Sequence, residues 1–215
     1  MSTVQFMKWL PTLLDGLKVT VLASLAAIIT AVAWGCIIVI LLAMDHKPLN
    51  AILRVYISVF RNSPLLVQMF FCYYALPYIG IKWPALVCGI VAITLNEGAF
   101  VAEMLRGVMK NIPKGEIEAA YSLGLSKFHV VTRVIFPLTF RNAIPMLTGQ
   151  ASIVIKDTSL FSMIMILDLT RAGSIYYAKF YNTAAFYIVG LIYILVFVAV
   201  NFAGKRFEKR LCVKR

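Results

Sequence analysis

Three ionisable residues sit where the surrounding sequence is otherwise suited to lipid. Glu97 is the fifteenth residue of the 23-residue stretch Trp83–Leu105, and Lys156 with Asp157 falls near the middle of residues 142–167. An ionised side chain at helix mid-depth costs about 2.5–3.5 kcal/mol on insertion scales, so it turns toward a partner or a watery cavity. Polar neighbours accompany all three: Thr94 and Asn96 beside Glu97, and Gln150, Ser152, Thr158 and Ser159 around the Lys156–Asp157 pair. Two arrangements are open. Asn96, Glu97, Lys156, Asp157, Thr158 and Ser159 line a path for a polar solute, or Glu97 pairs with Lys156 and holds two helices in register. Bond-making chemistry is not offered, since HExxH, GxSxG and clustered histidines are missing. Cys36, Cys72, Cys88 and Cys212 form no CxxC pair, and His46 and His129 lie far apart, so neither a metal site nor a disulfide framework is expected.

These groups must be carried by membrane helices. The chain is 61% hydrophobic and 14% charged, against about 25% charged for an ordinary soluble domain; its mean hydropathy is +0.87. A helix crosses a bilayer with about 20 apolar residues. The pattern predicts a single-domain, all-α integral membrane protein with spans at 19–44, 63–81, 83–105, 142–167 and 183–203. The second span possesses a candidate earlier start, a helix beginning near Leu53. No removable signal peptide is expected, because the first apolar run is long and lacks a small-residue cleavage pattern.

Five spans put the termini on opposite sides. Fifteen of the 21 Lys and Arg fall in residues 45–61, 106–141 and the C-terminal tail, which includes Lys209, Arg210, Lys214 and Arg215; five fall on the other side. That bias predicts a cytoplasmic C-terminus and an outside N-terminus. Basic residues placed in the gaps between apolar runs, despite a net charge of +12, also argue against nucleic acid as a partner. Ala23, Ala27, Ala31 and Gly35 form a small-residue stripe suited to close helix approach, either between subunits or within one. Glu103 and Arg106 are spaced to pair on one helix face. Pro64 suits a first helical turn, and Arg171 with Lys179 falls on the outer side, as solvated loop charges or a docking surface.

The polar insert at 106–141 reads as a knob. Asn111 and Pro113 resemble a helix start, Lys114–Leu123 a short helix, Gly124 a left-handed C-terminal residue, and Ser126 the cap of a second helix that Pro137 ends. Tyr121, Leu125 and Phe128 on such a knob have little membrane to bury against and suit a groove on a partner.

The spacing Glu118-Ala119-Ala120, Gly124, then Val134-Ile135-Phe136-Pro137 resembles the EAA signature of ABC-importer permeases, with Val134 standing for Ile and Phe136 for Leu. "LLDGLKVTV" at Leu13–Val21, "FRNSPLLVQMFF" at Phe60–Phe71, "AEMLRG" at Ala102–Gly107 and "KDTSL" at Lys156–Leu160 resemble the polar amino acid branch, the permeases of histidine, glutamine and glutamate–aspartate systems. The resemblance implies a type I importer membrane domain in a bacterial cytoplasmic (inner) membrane. It implies a coupling loop in which Glu118, Ala119, Ala120 and Gly124 meet a separate ATPase. Further implied partners are a second permease subunit, identical or homologous, an extracytoplasmic amino-acid-binding protein, and an amino acid zwitterion on the path, with a lean to an acidic or broadly polar one. No cofactor is expected on this chain. It lacks GxxxxGK[ST], so ATP and Mg²⁺ are expected on the ATPase. The competing class, a secondary transporter or channel relaying ions through the carboxylates, gains no support from internal half-repeats and leaves the ordered knob unexplained.

Overall fold

The computed structural model describes residues 3–44 and 46–211, with backbone alone at 3, 207 and 209–211. Asp45, Cys212, Lys214 and Arg215 lie outside the described residues, as do the side chains of Lys209 and Arg210. Among the described residues every element is helical. Helix α1 (Thr3–Ala43) is followed by α2 (Lys47–Asn62) and α3 (Leu65–Phe70), which continues through a wide turn at Phe71–Ala75 and a tight one at Leu76–Ile79. Helix α4 (Ala85–Met109) leads into the short α5 (Lys114–Ser122) and α6 (Lys127–Val130). Then come α7 (Phe136–Asp157), a 3₁₀ segment Thr158–Ile164, α8 (Leu169–Phe180) and α9 (Ala184–Leu211).

Among the described residues, three helical segments are long and apolar enough to cross a membrane: Val4–Ala43, Ala85–Met109 and Ala184–Arg206. The expected spans differ from these in physically readable ways. The first helix starts at Thr3, well before residue 19, because Pro11, Asp15 and Lys18 are absorbed into one 41-residue helix. At about 1.5 Å per residue it outruns a hydrocarbon core of about 30 Å. The second expected span is a shorter apolar helix, Leu65–Ile79, and it does not continue α2. Pro64 forces Ser63 into an extended conformation (φ −105°, ψ 144°), and the chain restarts beyond it. The fourth is shared between α7, which carries many polar side chains, and the 3₁₀ segment, which Met165 closes in the left-handed region at φ 66°.

The small-residue stripe is spent inside the subunit. Ala23, Ala27 and Ala31 are buried, and Gly35 lets α1 lie on Val101 of α4 so closely that a Cβ would overlap the valine side chain. One turn away, a Cβ on Gly98 would stand 2.7 Å from Trp34 Cδ1. Gly35→Val is therefore expected to cost about 1–3 kcal/mol by overpacking, read as a lower thermal midpoint of the detergent-purified protein; an unchanged midpoint would show that α1 and α4 do not pack this way.

At one end of the bundle α1, α8 and α9 are knotted around Asp168, which is fully buried. Its carboxylate caps α8 by accepting from the backbone N–H groups of Thr170 (3.0 Å) and Arg171 (2.9 Å), and the Tyr193 hydroxyl of α9 donates to it at 3.2 Å. Leu169 N–H donates to Thr20 Oγ1 and Trp9 Nε1–H to the Ala172 carbonyl, both at 3.0 Å. Gly16 makes the approach feasible, since a Cβ there would sit 2.7 Å from the Asp168 carbonyl oxygen. Asp168→Ala should lose at least the capping contribution, about 0.5–2 kcal/mol, while Asp168→Asn keeps most of it. Thermal melts of the two variants check the ordering.

Candidate translocation and coupling sites

The polar cluster is organised by α4, which packs on both α2 and α7. Phe60 lies four residues before Pro64, which has no N–H to close the helical bond. The Phe60 carbonyl is therefore free to accept from Asn96 Nδ2 of α4 at 2.7 Å and from Gln68 Nε2 at 2.9 Å. Asn96 thus ties α4 to the broken end of α2. One residue on, Glu97 is 3% exposed and accepts a hydrogen bond from Gln150 Nε2 of α7. The Asp157 carboxyl lies beside that of Glu97. Gln150 and Asp157 are seven residues apart, two turns on one helix face, and that face meets α4.

Lys156 points elsewhere. Its ammonium lies 5.1 Å from the Phe197 ring centroid on α9, so the Glu97–Lys156 register pair is not formed. Adjacent positions on a helix diverge by about 100°, and Asp157 takes the α4 side. Thr158 is buried and its hydroxyl donates back to the Ile155 carbonyl at 2.7 Å; Ser159, half-buried, offers its carbonyl to Ser162 Oγ at 2.8 Å. Of the six expected path residues, Glu97 and Asp157 come together, Asn96 adjoins them on α4, and Lys156 turns away. Gln150, noted in the sequence only as a polar neighbour, is the direct partner of Glu97. Its spacing from Asp157 was the available signal.

The Glu103–Arg106 pair forms as spacing predicts, with Arg106 Nε and Nη2 donating to the carboxylate at 2.8 and 2.5 Å, and Arg61 of α2 joins at 4.0 Å.

The knob is built around Gly124, at φ +75°. Its N–H donates to the Tyr121 carbonyl (2.9 Å), and Leu125 N–H reaches back to Ala120 (3.3 Å). This bond pair is the Schellman closure of α5, which needs a left-handed residue at that position. Ala120 is buried under the turn, while Glu118 and Ala119 are exposed. Tyr121, Leu123 and Phe128 are exposed at 48%, 82% and 55%, and Leu125 is half-buried. Three local expectations change. Pro113, not Asn111, precedes α5, and no side chain caps it. Ser126 Oγ pairs with His129 Nδ1 at 3.0 Å instead of capping α6. Pro137 does not end the helix, because the wide turn Val131–Ile135 loosens the backbone ahead of it, where an α-helix would need the missing N–H, and α7 runs on.

Sequence comparison decides the family. The profile of the family described as "Binding-protein-dependent transport system inner membrane component" matches residues 31–212. The chain belongs to this family. Among its relatives, the glutamine transport system permease protein GlnP of Escherichia coli (strain K12) is 33% identical over 205 residues, covering 94% of each chain. A putative glutamine permease of Rickettsia bellii is 34% identical over 198 residues, 89% of this chain and 91% of its own. In structure this family member resembles a chain of an amino acid ABC transporter solved with histidines (TM-score 0.87, 29% identity, 98% and 99% of the two chains). It shares its fold with a chain of the inward-facing MetNI methionine ABC transporter (TM-score 0.83, 18% identity, 99% and 100% covered). The type I importer membrane-domain fold therefore holds for this permease.

Proposed function

We propose that the chain is one of two permease subunits, identical or homologous, of an ATP-driven importer for polar amino acids in a bacterial cytoplasmic membrane. Five helices cross the bilayer: α1, α3 with its turns, α4, α7 and α9. The N-terminus lies outside and the C-terminus in the cytoplasm. An extracytoplasmic binding protein delivers the solute, and separate ATPase subunits bind ATP and Mg²⁺. Glu118, Ala119, Ala120 and Gly124 shape the surface that the ATPase grips. The observation that carries the reading is the knob, whose Schellman turn presents Tyr121, Leu123 and Phe128 outward with nothing among the described residues to cover them.

Asn96, Glu97, Asp157, Thr158 and Ser159, with Gln150, border the solute path, and Lys156 borders it in the state where α7 and α9 part. A carboxyl at Glu97 or Asp157 meets the α-ammonium of a zwitterion, and amide and hydroxyl donors meet its carboxylate. Within the polar class, glutamine is the first substrate to test, given the names its relatives carry. The test is reconstitution with the co-purifying ATPase and binding protein in proteoliposomes. Labelled glutamine should accumulate only when ATP is enclosed on the ATPase side. Uptake driven by an ion gradient without nucleotide would favour the secondary-transporter reading instead.

A further inference from the structure

Away from the α4–α7 carboxyls, α2 and α4 enclose a cleft that the transport reading does not use. The two helices face each other with matched basic spacing. Arg54 and Arg61 are seven residues apart on α2, and Glu103 and Arg106 on α4 are followed by Lys110 at its C-cap, three and seven residues after Glu103, so each set shares a face. Between them lies a cavity of about 490 Å³ lined by Arg54, Arg61, Asn62, Glu103, Arg106 and Lys110, among others. Four cations thus surround one carboxylate. Glu103 is engaged by Arg106 at 2.5 Å and by Arg61 at 4.0 Å. Among the described residues neither Arg54 nor Lys110 has an ion-pair partner. Four cations against one carboxylate leave an excess of positive charge, which calls for an anion.

A second cavity of about 460 Å³ shares the Arg61–Glu103 wall. Its lining is largely apolar, with Phe100, Met104, Val108 and Met146, and Arg61 stacks over the Phe100 ring at 5.1 Å. A basic chamber beside an apolar one matches an amphiphile with an anionic head. We propose that this pair of cavities holds an anionic phospholipid, its phosphate among Arg54, Arg61, Arg106 and Lys110 and an acyl chain along Phe100, Met104 and Met146. The phosphate site rests on the cleft alone; its assignment to the cytoplasmic leaflet, where anionic lipids attract basic groups, rests on the orientation proposed above.

The test uses the purified permease–ATPase complex, delipidated and offered phosphatidylglycerol, phosphatidylcholine or inorganic phosphate, with bound lipid counted by native mass spectrometry and phosphate binding followed by ³¹P NMR. Phosphatidylglycerol should bind in preference to phosphatidylcholine, and Arg54→Gln combined with Lys110→Gln should weaken it at least tenfold, each lost basic contact contributing. Both residues lie outside the Glu103–Arg106 pair, so the fold is spared, and a matched thermal midpoint verifies this. The charge-matched control, Lys114→Gln with Lys205→Gln, should leave binding unchanged. Inorganic phosphate binding with the same loss in the Arg54/Lys110 variant, and no lipid preference, would move the site to a soluble phosphate and overturn the lipid assignment. Equal lipid binding by wild type and both variants would overturn the site altogether. None of these readouts measures transport, so a failed importer reading and a failed lipid site are told apart.

Discussion

Gly124→Val is expected to reduce ATP-driven uptake at least tenfold while the protein still accumulates in the membrane at its normal level. Gly124 holds φ +75° and has open space around it, with nothing within 4 Å of a Cβ. The cost of substitution is therefore backbone strain and not a clash. A left-handed conformation costs an ordinary L-residue about 1–2 kcal/mol, and a β-branched residue is a pronounced outlier there. The chain escapes by abandoning the Gly124→Tyr121 and Leu125→Ala120 bonds, which swings α6 away from α5 and scatters Tyr121, Leu123 and Phe128. The helices that build the bundle are untouched. Gly124→Asn, which tolerates the left-handed region, should retain most of the uptake. Full uptake by the valine variant would mean that the turn plays no part in coupling.

The second large effect falls on Glu97. Glu97→Gln keeps a side chain that can pair with the Gln150 amide, and the buried α4–α7 contact survives. Removing the carboxylate alone should lower the rate of solute uptake about tenfold or more, with assembly and thermal midpoint preserved. Glu97→Ala separates structure from function in the opposite direction. It strands the Gln150 amide in a buried site, at about 1–3 kcal/mol, and should lower the melting temperature as well as uptake. Normal transport kinetics in Glu97→Gln would remove this carboxyl from the path.

Local rules along the chain determine the elements, whereas features set by tertiary contact are not written in any one segment. The left-handed Gly124 and the Glu103–Arg106 pair follow from one turn of helix and were readable. The all-helical class followed from composition. What escaped was how proline is accommodated. Pro64 breaks the chain because Ser63 has an extended alternative and Gln68 and Asn96 satisfy the freed Phe60 carbonyl. Pro137 does not break it, because a wide turn supplies the slack. Pro11 and Pro145 sit within helices. The same residue type has three outcomes, and the choice is made by neighbours distant in sequence.

The path residues show a related limit. Counting along the chain groups Lys156 with Asp157, yet the helix sends them to different neighbours, Phe197 and Glu97. The face of α7 that meets α4 is marked by Gln150 and Asp157 together. A seven-residue spacing carries that information, but only once α4 is known to be the neighbour. Asp168 is a further case, since an N-cap aspartate is a local signal while its burial against Gly16 and Tyr193 is not.

The central claim is that the α5–α6 turn is a cytosolic handle gripped by an ATPase. It is tested most directly by a photo-reactive residue placed at Leu123, which is 82% exposed at the tip of the turn, in cells that also produce the neighbouring ATPase. Illumination should yield a covalent adduct between the permease and the ATPase. An ATPase-free pattern of adducts, or modification of position 123 by a membrane-impermeant reagent added outside intact cells, would contradict the account.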